Sequence, residues 1–121
     1  MVTLCRLPDA LTVCQVSDLR DFDSDFYFAG RTEEEFSLVC RTAETPADTL
    51  RREDGWRGFR VAGSMEFGLV GILAGISGAL AAEGIALFAV STFNTDYVLV
   101  KEGDFERAAR TLTAAGYEVQ P

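Results

Sequence analysis

Between positions 91 and 96 the chain carries Ser91, Thr92, Asn94, Thr95 and Asp96, four neutral hydrogen-bonding side chains and one carboxylate. Such an aspartate suits one of two tasks. It receives an ammonium or guanidinium group through a charge-assisted hydrogen bond, or it caps its own turn by accepting from nearby backbone N–H groups. Both readings stand for Asp96, and Ser91, Thr92 and Asn94 share them. A second set lies upstream, where a loop runs into an apolar helical pattern at Gly68, Leu69, Val70, Gly71 and Ile72. Backbone N–H groups at a helix start lack an intrahelical acceptor and favour a carboxylate. Glycine there lets another group approach the backbone closely. At Gly68 and Gly71 carboxylate binding and close helix packing are balanced readings, whereas Gly75 and Gly78 fit packing better.

Other chemistry finds no support. The chain has no histidine, and no serine or cysteine stands beside a recognisable base, so nucleophilic or acid–base catalysis has no candidate constellation. Cys5, Cys14 and Cys40 form no close pair of the kind a zinc or redox site needs, and each sits in an apolar strand-like run as a buried thiol would. Asp21, Asp23 and Asp25 alternate like the opening of a calcium loop. Phe26 stands where that loop needs glycine and Thr32 where it needs glutamate, so an acidic surface turn is expected. Neither metal nor cofactor is expected, and the chain reads as non-enzymatic.

The elements that must position the two sets follow from pattern. Phe59 to Gly63 alternates as a strand, and Leu69, Ile72, Leu73, Ile76 and Leu80 recur at helical spacing up to Gly84, a left-handed C-cap. Ile85–Ser91 and Tyr97–Val100 are apolar on both alternations, which predicts two strands buried on both faces, joined by the turn formers around Asn94. Phe105, Ala108, Ala109, Leu112 and Ala115 give a second amphipathic helix ending at Gly116, and Tyr117–Gln120 closes the set as a strand. Two helices on one face of an antiparallel sheet is the α+β, ferredoxin-like βαββαβ arrangement.

The first part of the chain is less regular. Two short strands are expected around Pro8–Ala10, with Ser17–Asp25 as an acidic loop, then a short strand at Phe26–Phe28. Thr32 followed by Glu35 gives a capping-box signal for a single helical turn, and Phe36–Cys40 reads as a strand. Arg41 to Gly55 is polar and reads as a connection, and no long helix precedes Trp56.

At 121 residues the chain holds one compact domain or two very small ones. Nineteen acidic residues against eleven basic ones give a net charge of −8, the wrong sign for nucleic acid or an anionic membrane surface. Phe67 to Val90 contains a single charge, Glu83, yet Glu83-Gly84 splits it into a helix-length and a strand-length piece, so no membrane span is expected. Unpaired cysteines, and an opening interrupted by Arg6, Pro8 and Asp9, suit the cytoplasm.

Gly63 to Leu73, Leu80–Ile85, Ser91-Thr-Phe-Asn-Thr-Asp-Tyr-Val-Leu-Val-Lys101 and Ala108–Gly116 resemble the ACT domain family. The closer resemblance is to small bacterial tandem-ACT proteins related to CASTOR arginine sensors and to aspartate kinase regulatory domains. Thr32 to Cys40 and Gly55-Trp56 carry it into the first half. The family's elbow usually reads Gly-Pro-Leu-Asp-Phe-Ser, where this chain has Gly63-Ser-Met-Glu-Phe-Gly68. The resemblance implies two ACT-like halves, a degenerate one over 1–54 and a full ACT domain over 55–121. It implies a regulatory protein that binds a small amino acid at a domain or dimer interface, near Asp96, as a homodimer acting on an unidentified partner protein. The alternative is an ACT-like interaction domain that has lost its ligand.

Overall fold

The computed structural model describes residues 2–62 and 71–121. In chain order the elements are β1 (Thr3–Arg6), β2 (Leu11–Gln15), β3 (Tyr27–Arg31), β4 (Phe36–Arg41), β5 (Arg51–Val61), α1 (Ile72–Ala82), β6 (Leu87–Ser91), β7 (Asp96–Lys101), α2 (Phe105–Ala114) and β8 (Glu118–Gln120), with 3-10 turns at Thr42–Glu44 and Glu102–Asp104. The chain divides into two compact units, Met1–Pro8 with Arg57–Pro121, and Asp9–Trp56.

In the larger unit the strands lie in the order β8-β1-β5-β7-β6. β1 runs antiparallel to β5, with Leu4 opposite Val61, and parallel to β8, with Leu4 opposite Val119. β5, α1, β6, β7, α2 and β8 thus form the βαββαβ frame. The strand Thr3–Arg6, read in the sequence with the first half, stands in the larger unit between the first and last strands of that frame. Both helices join one core. Ile76 and Leu80 of α1 and Phe105, Ala108, Ala109 and Leu112 of α2 cluster with Leu4, Phe59, Val61, Val98 and Val100 of the strands.

Local chemistry sets where the helices stop. Gly84 and Gly116 have φ of 70° and 102°, a region closed to most side chains. The following residues fold back over the last turn: Ile85 N–H donates to Leu80 O at 3.0 Å, and Tyr117 N–H to Leu112 O at 3.1 Å. These bonds satisfy carbonyls that the helix end would otherwise leave unpaired.

The smaller unit has the same strand plan without the helices. Its strands lie in the order β5-β2-β4-β3, using the first six residues of β5. A bulge where Leu11 and Val13 pair with β5 coincides with Gly55, whose φ is 84°. Where helices would cross, the chain instead runs through residues 16–26 and 42–50. Leu19 and Phe22 from the first of these segments cover Cys14, Val16, Leu38 and Cys40, a core of four buried residues. Arg41 ties the segments down. Its guanidinium meets Asp9 at 3.1 Å, Asp25 at 2.7 Å and Glu44 at 3.4 Å, and lies over the Phe26 ring.

The two units repeat one another. In the first hairpin Tyr27 pairs with Cys40 and Arg31 with Phe36; in the second Leu87 pairs with Val100 and Ser91 with Asp96. Each residue of the second pair lies sixty positions after its counterpart, and the 3-10 turns keep the same spacing. The larger unit is therefore an α+β, ferredoxin-like fold, and the smaller unit repeats its strand plan without the helices.

Three local expectations are corrected. Strand β6 is not buried on both faces: Phe88, Ala89 and Ser91 are exposed, because β6 is the outermost strand of its unit. The Thr32–Glu35 pattern makes a hairpin turn and not a helical one, with Thr32 N–H donating to Glu35 O at 2.9 Å. Strand β5 begins at Arg51, within the stretch read as a connection. Its first four residues are exposed and carry no apolar alternation to announce a strand.

Candidate functional site

The turn between β6 and β7 is built around Thr92. Thr92 N–H donates to Thr95 O at 2.8 Å, the Thr92 hydroxyl donates to the same carbonyl at 3.0 Å, and Thr95 N–H donates to Thr92 Oγ1 at 3.3 Å. The turn is capped by a threonine side chain, as short hydroxylated side chains do in tight turns. Asp96 takes no part in this cap. Ser91, Thr92, Phe93 and Asn94 are exposed, while Thr95 and Asp96 are 7% and 6% exposed.

Asp96 opens β7 in the alternation shared by Val98 and Val100, which belong to the core containing both helices. A strand's side chains alternate between faces, so Asp96 belongs to the helix-bearing face. Among the described residues its carboxylate makes no hydrogen bond. A carboxylate set this deep is costly to desolvate and is favoured by a cationic partner.

The upstream set is reached in part. Gly68, Leu69 and Val70 lie outside the described residues. Gly71 is the N-cap of α1 in a left-handed conformation, φ 85°, and Ile72 is the first helical residue. The first intrahelical bond joins Gly75 N–H to Gly71 O at 2.8 Å. Among the described residues no side chain caps this end, and no acidic residue lies in its first turn. Gly75 is a packing glycine, for a Cβ there would lie 2.6 Å from the Tyr117 hydroxyl oxygen. A Cβ on Gly78 would meet no atom within 4 Å, so Gly78 does not pack against the sheet of its own chain.

One residue escaped the sequence reading. Thr95 donates its hydroxyl to Val61 O at 2.6 Å, joining the turn to the end of β5. The signal was its place inside the polar string, but a contact between residues 34 positions apart cannot be read from spacing.

The smaller unit has its own polar features. A cavity of about 400 Å³ lies between residues 18–23 and 44–48, rimmed by Asp18, Asp21, Asp23, Glu44 and Asp48. Among the described residues no group of side chains is arranged to hold a metal ion. Thr12, fully buried, donates to Asp54 at 2.7 Å and shares a hydrogen bond of 2.9 Å with Thr42. The Thr12 hydroxyl, followed by the Arg52 guanidinium, holds the Asp54 carboxyl below its usual range. Burial pushes the Cys14 thiol up to about 11, helped by Cys40 beside it. Such a thiol is inert, in keeping with a packing role. Among the described residues no helix is long and apolar enough to cross a membrane.

Comparison with known proteins agrees with this architecture. The chain is similar over its length to protein Atu0741 of Agobacterium tumefaciens, at 30% identity and a TM-score of 0.88, covering 98% of this chain and 91% of that one. It is similar at 13% identity and a TM-score of 0.70 to the aspartate kinase of Clostridium acetobutylicum, covering 93% of this chain and 34% of the enzyme. The regulatory subunit of the Thermus thermophilus aspartate kinase shares 14% identity at a TM-score of 0.59, with 89% and 93% of the two chains covered. No curated protein matches the sequence. A family model for the ACT domain matches residues 51–114, more than half of the chain. On that match, and on a βαββαβ frame lying within the larger unit, the chain belongs to the ACT domain family.

Proposed function

We propose that this chain is a non-enzymatic regulatory protein that binds a small amino acid. The observation that carries the reading is Asp96, a buried carboxylate without a hydrogen-bond partner among the described residues, on the helix-bearing face of a hairpin. A cationic group brought there gains a charge-assisted hydrogen bond of about 1.5–3 kcal/mol. The start of α1 at Gly71 and Ile72, with Gly68, Leu69 and Val70 before it, supplies N–H groups for the ligand's carboxylate. Ser91, Thr92 and Asn94 complete the proposed site. Fold likeness to an aspartate kinase regulatory subunit supports a regulatory role. Occupancy would act on an unidentified partner protein in the cytoplasm, through a homodimer whose interface holds the ligand.

The experiment is a thermal-shift screen over the common amino acids. A ligand at a hundredfold excess over its Kd adds about 2.7 kcal/mol, a rise on the order of 10 °C for a chain of this size. A flat screen overturns the reading. Light scattering at tens of micromolar tests the dimer, and a monomer there removes it.

One observation favours a second reading, a ligand-free interaction domain. Phe93 is 94% exposed at the turn tip, where an aromatic side chain gains nothing from water and suits a protein partner.

A further inference from the structure

The internal repeat supplies a comparison within one chain. The turns at 32–35 and 92–95 share the bond from the first residue's N–H to the last residue's carbonyl, at 2.9 and 2.8 Å, and in each the threonine Oγ1 accepts from a backbone N–H within the turn. They differ at the next two positions. The first hairpin has exposed Glu35 and then Phe36, which packs against the core of Cys14, Val16, Leu38 and Cys40. The second has buried Thr95, bonded to Val61 O, and then buried Asp96. The bond to the neighbouring strand and the buried carboxylate thus occur together in the unit that kept its helices, and neither residue is present in the unit that lost them.

A turn closed by Thr92 does not require Thr95 to reach β5. The added bond fixes something else, namely the position of the turn against the strand end and hence the direction in which the next side chain leaves. We propose that Thr95 is a positioning residue for the ligand site, holding the Asp96 carboxylate where a cationic group meets it. This rests on the reading of Asp96 as the residue that receives the amino acid's positive group. Thr95 does not touch the ligand. It reduces the freedom that Asp96 would otherwise lose on binding, which is how preorganisation raises affinity.

The test uses the full chain and three variants. Thr95→Val keeps the shape and removes the donor, Thr95→Ser keeps the donor, and Thr95→Ala removes the donor without branched bulk should the valine variant fail to fold. Each is titrated calorimetrically with whichever of the twenty common L-amino acids raises the wild-type melting temperature. Thr95→Val or Thr95→Ala should weaken binding about tenfold, and Thr95→Ser should restore it to within about threefold. Equal affinity in wild type and Thr95→Val, with only a lower melting temperature, makes Thr95 a structural hydrogen bond and overturns the proposal alone. A wild type that responds to none of the twenty overturns the amino-acid reading itself, and this proposal with it.

Discussion

The Tyr117 hydroxyl occupies the space that a Cβ on Gly75 would need, 2.6 Å from where that carbon would lie. The next nearest atom, Tyr117 Cζ, would be at 3.9 Å, an ordinary contact. The clash therefore depends on one oxygen atom. Gly75→Ala should lower stability in the wild-type background, despite a helix propensity gain of about 1 kcal/mol, because a partly buried tyrosine must move. In a Tyr117→Phe background the same substitution should stabilise by about 1 kcal/mol. Denaturant melts of the four proteins form a double-mutant cycle, and an unchanged sign would show that Tyr117 yields freely.

Gly78 is the contrasting position. It lies inside α1, and a Cβ there would meet no atom within 4 Å. Gly78→Ala should stabilise by about 1 kcal/mol, raising the melting temperature by about 4 °C. A loss of stability would mean that this helix face is covered by a second copy in solution.

Asp96→Asn keeps size and hydrogen-bonding capacity while removing charge. Affinity for the amino acid should fall by about 1.5–3 kcal/mol, and the unliganded protein should melt at nearly the same temperature, because among the described residues no hydrogen bond of the carboxylate is lost. Gly71 is a poorer test, since its φ of 85° makes any side chain there strained by about 1–2 kcal/mol whatever its effect on binding. Calorimetry should also give one ligand per chain, because the position equivalent to Asp96 in the smaller unit is Phe36, a half-buried packing residue. Two equivalents would place a site in the helix-free unit as well.

The raised Cys14 pKa gives a pH dependence of definite sign. The unfolded thiol titrates near 9.0 and the folded one near 11, so above 9.0 the unfolded state loses its proton while the folded state keeps it. The stabilisation is fully present below pH 9 and is lost as pH rises toward about 11. The melting temperature should fall on this alkaline limb, and Cys14→Ala should fall less steeply, though from a lower start. Parallel limbs would show that another group governs base unfolding.

The fold of residues 57–121 was legible because its helices and inner strands have periodic apolar faces and glycine at their ends. Ile76, Leu80, Phe105, Ala108 and Leu112 are buried where their spacing puts them. What could not be read were contacts with no local cause. Nothing near Leu4 announces that it pairs with Val61 on one side and Val119 on the other. Arg51 to Asp54 form a strand on backbone hydrogen bonds to β2, with side chains a loop would also carry. The Thr32–Glu35 pattern reads equally as a helical cap because the same hydroxyl satisfies a helix start and a tight turn. At the site, the polar string was visible, but the division of labour within it was not: Thr92 closes the turn, Thr95 reaches Val61, and Asp96 is buried with no hydrogen bond from its carboxylate among the described residues.

The parallel pairing of β1 with β8 bears on the order in which the polypeptide acquires structure during synthesis. Thr3 pairs with Glu118, so the larger unit cannot complete its sheet until Glu118 has left the ribosome. Residues Asp9–Trp56 are contiguous and emerge first. The smaller unit is thus free to close while β1 still waits for both of its neighbours, and nascent chains stalled with residue 56 or with residue 121 already clear of the ribosome should differ in protease resistance over β1 far more than over β2–β4.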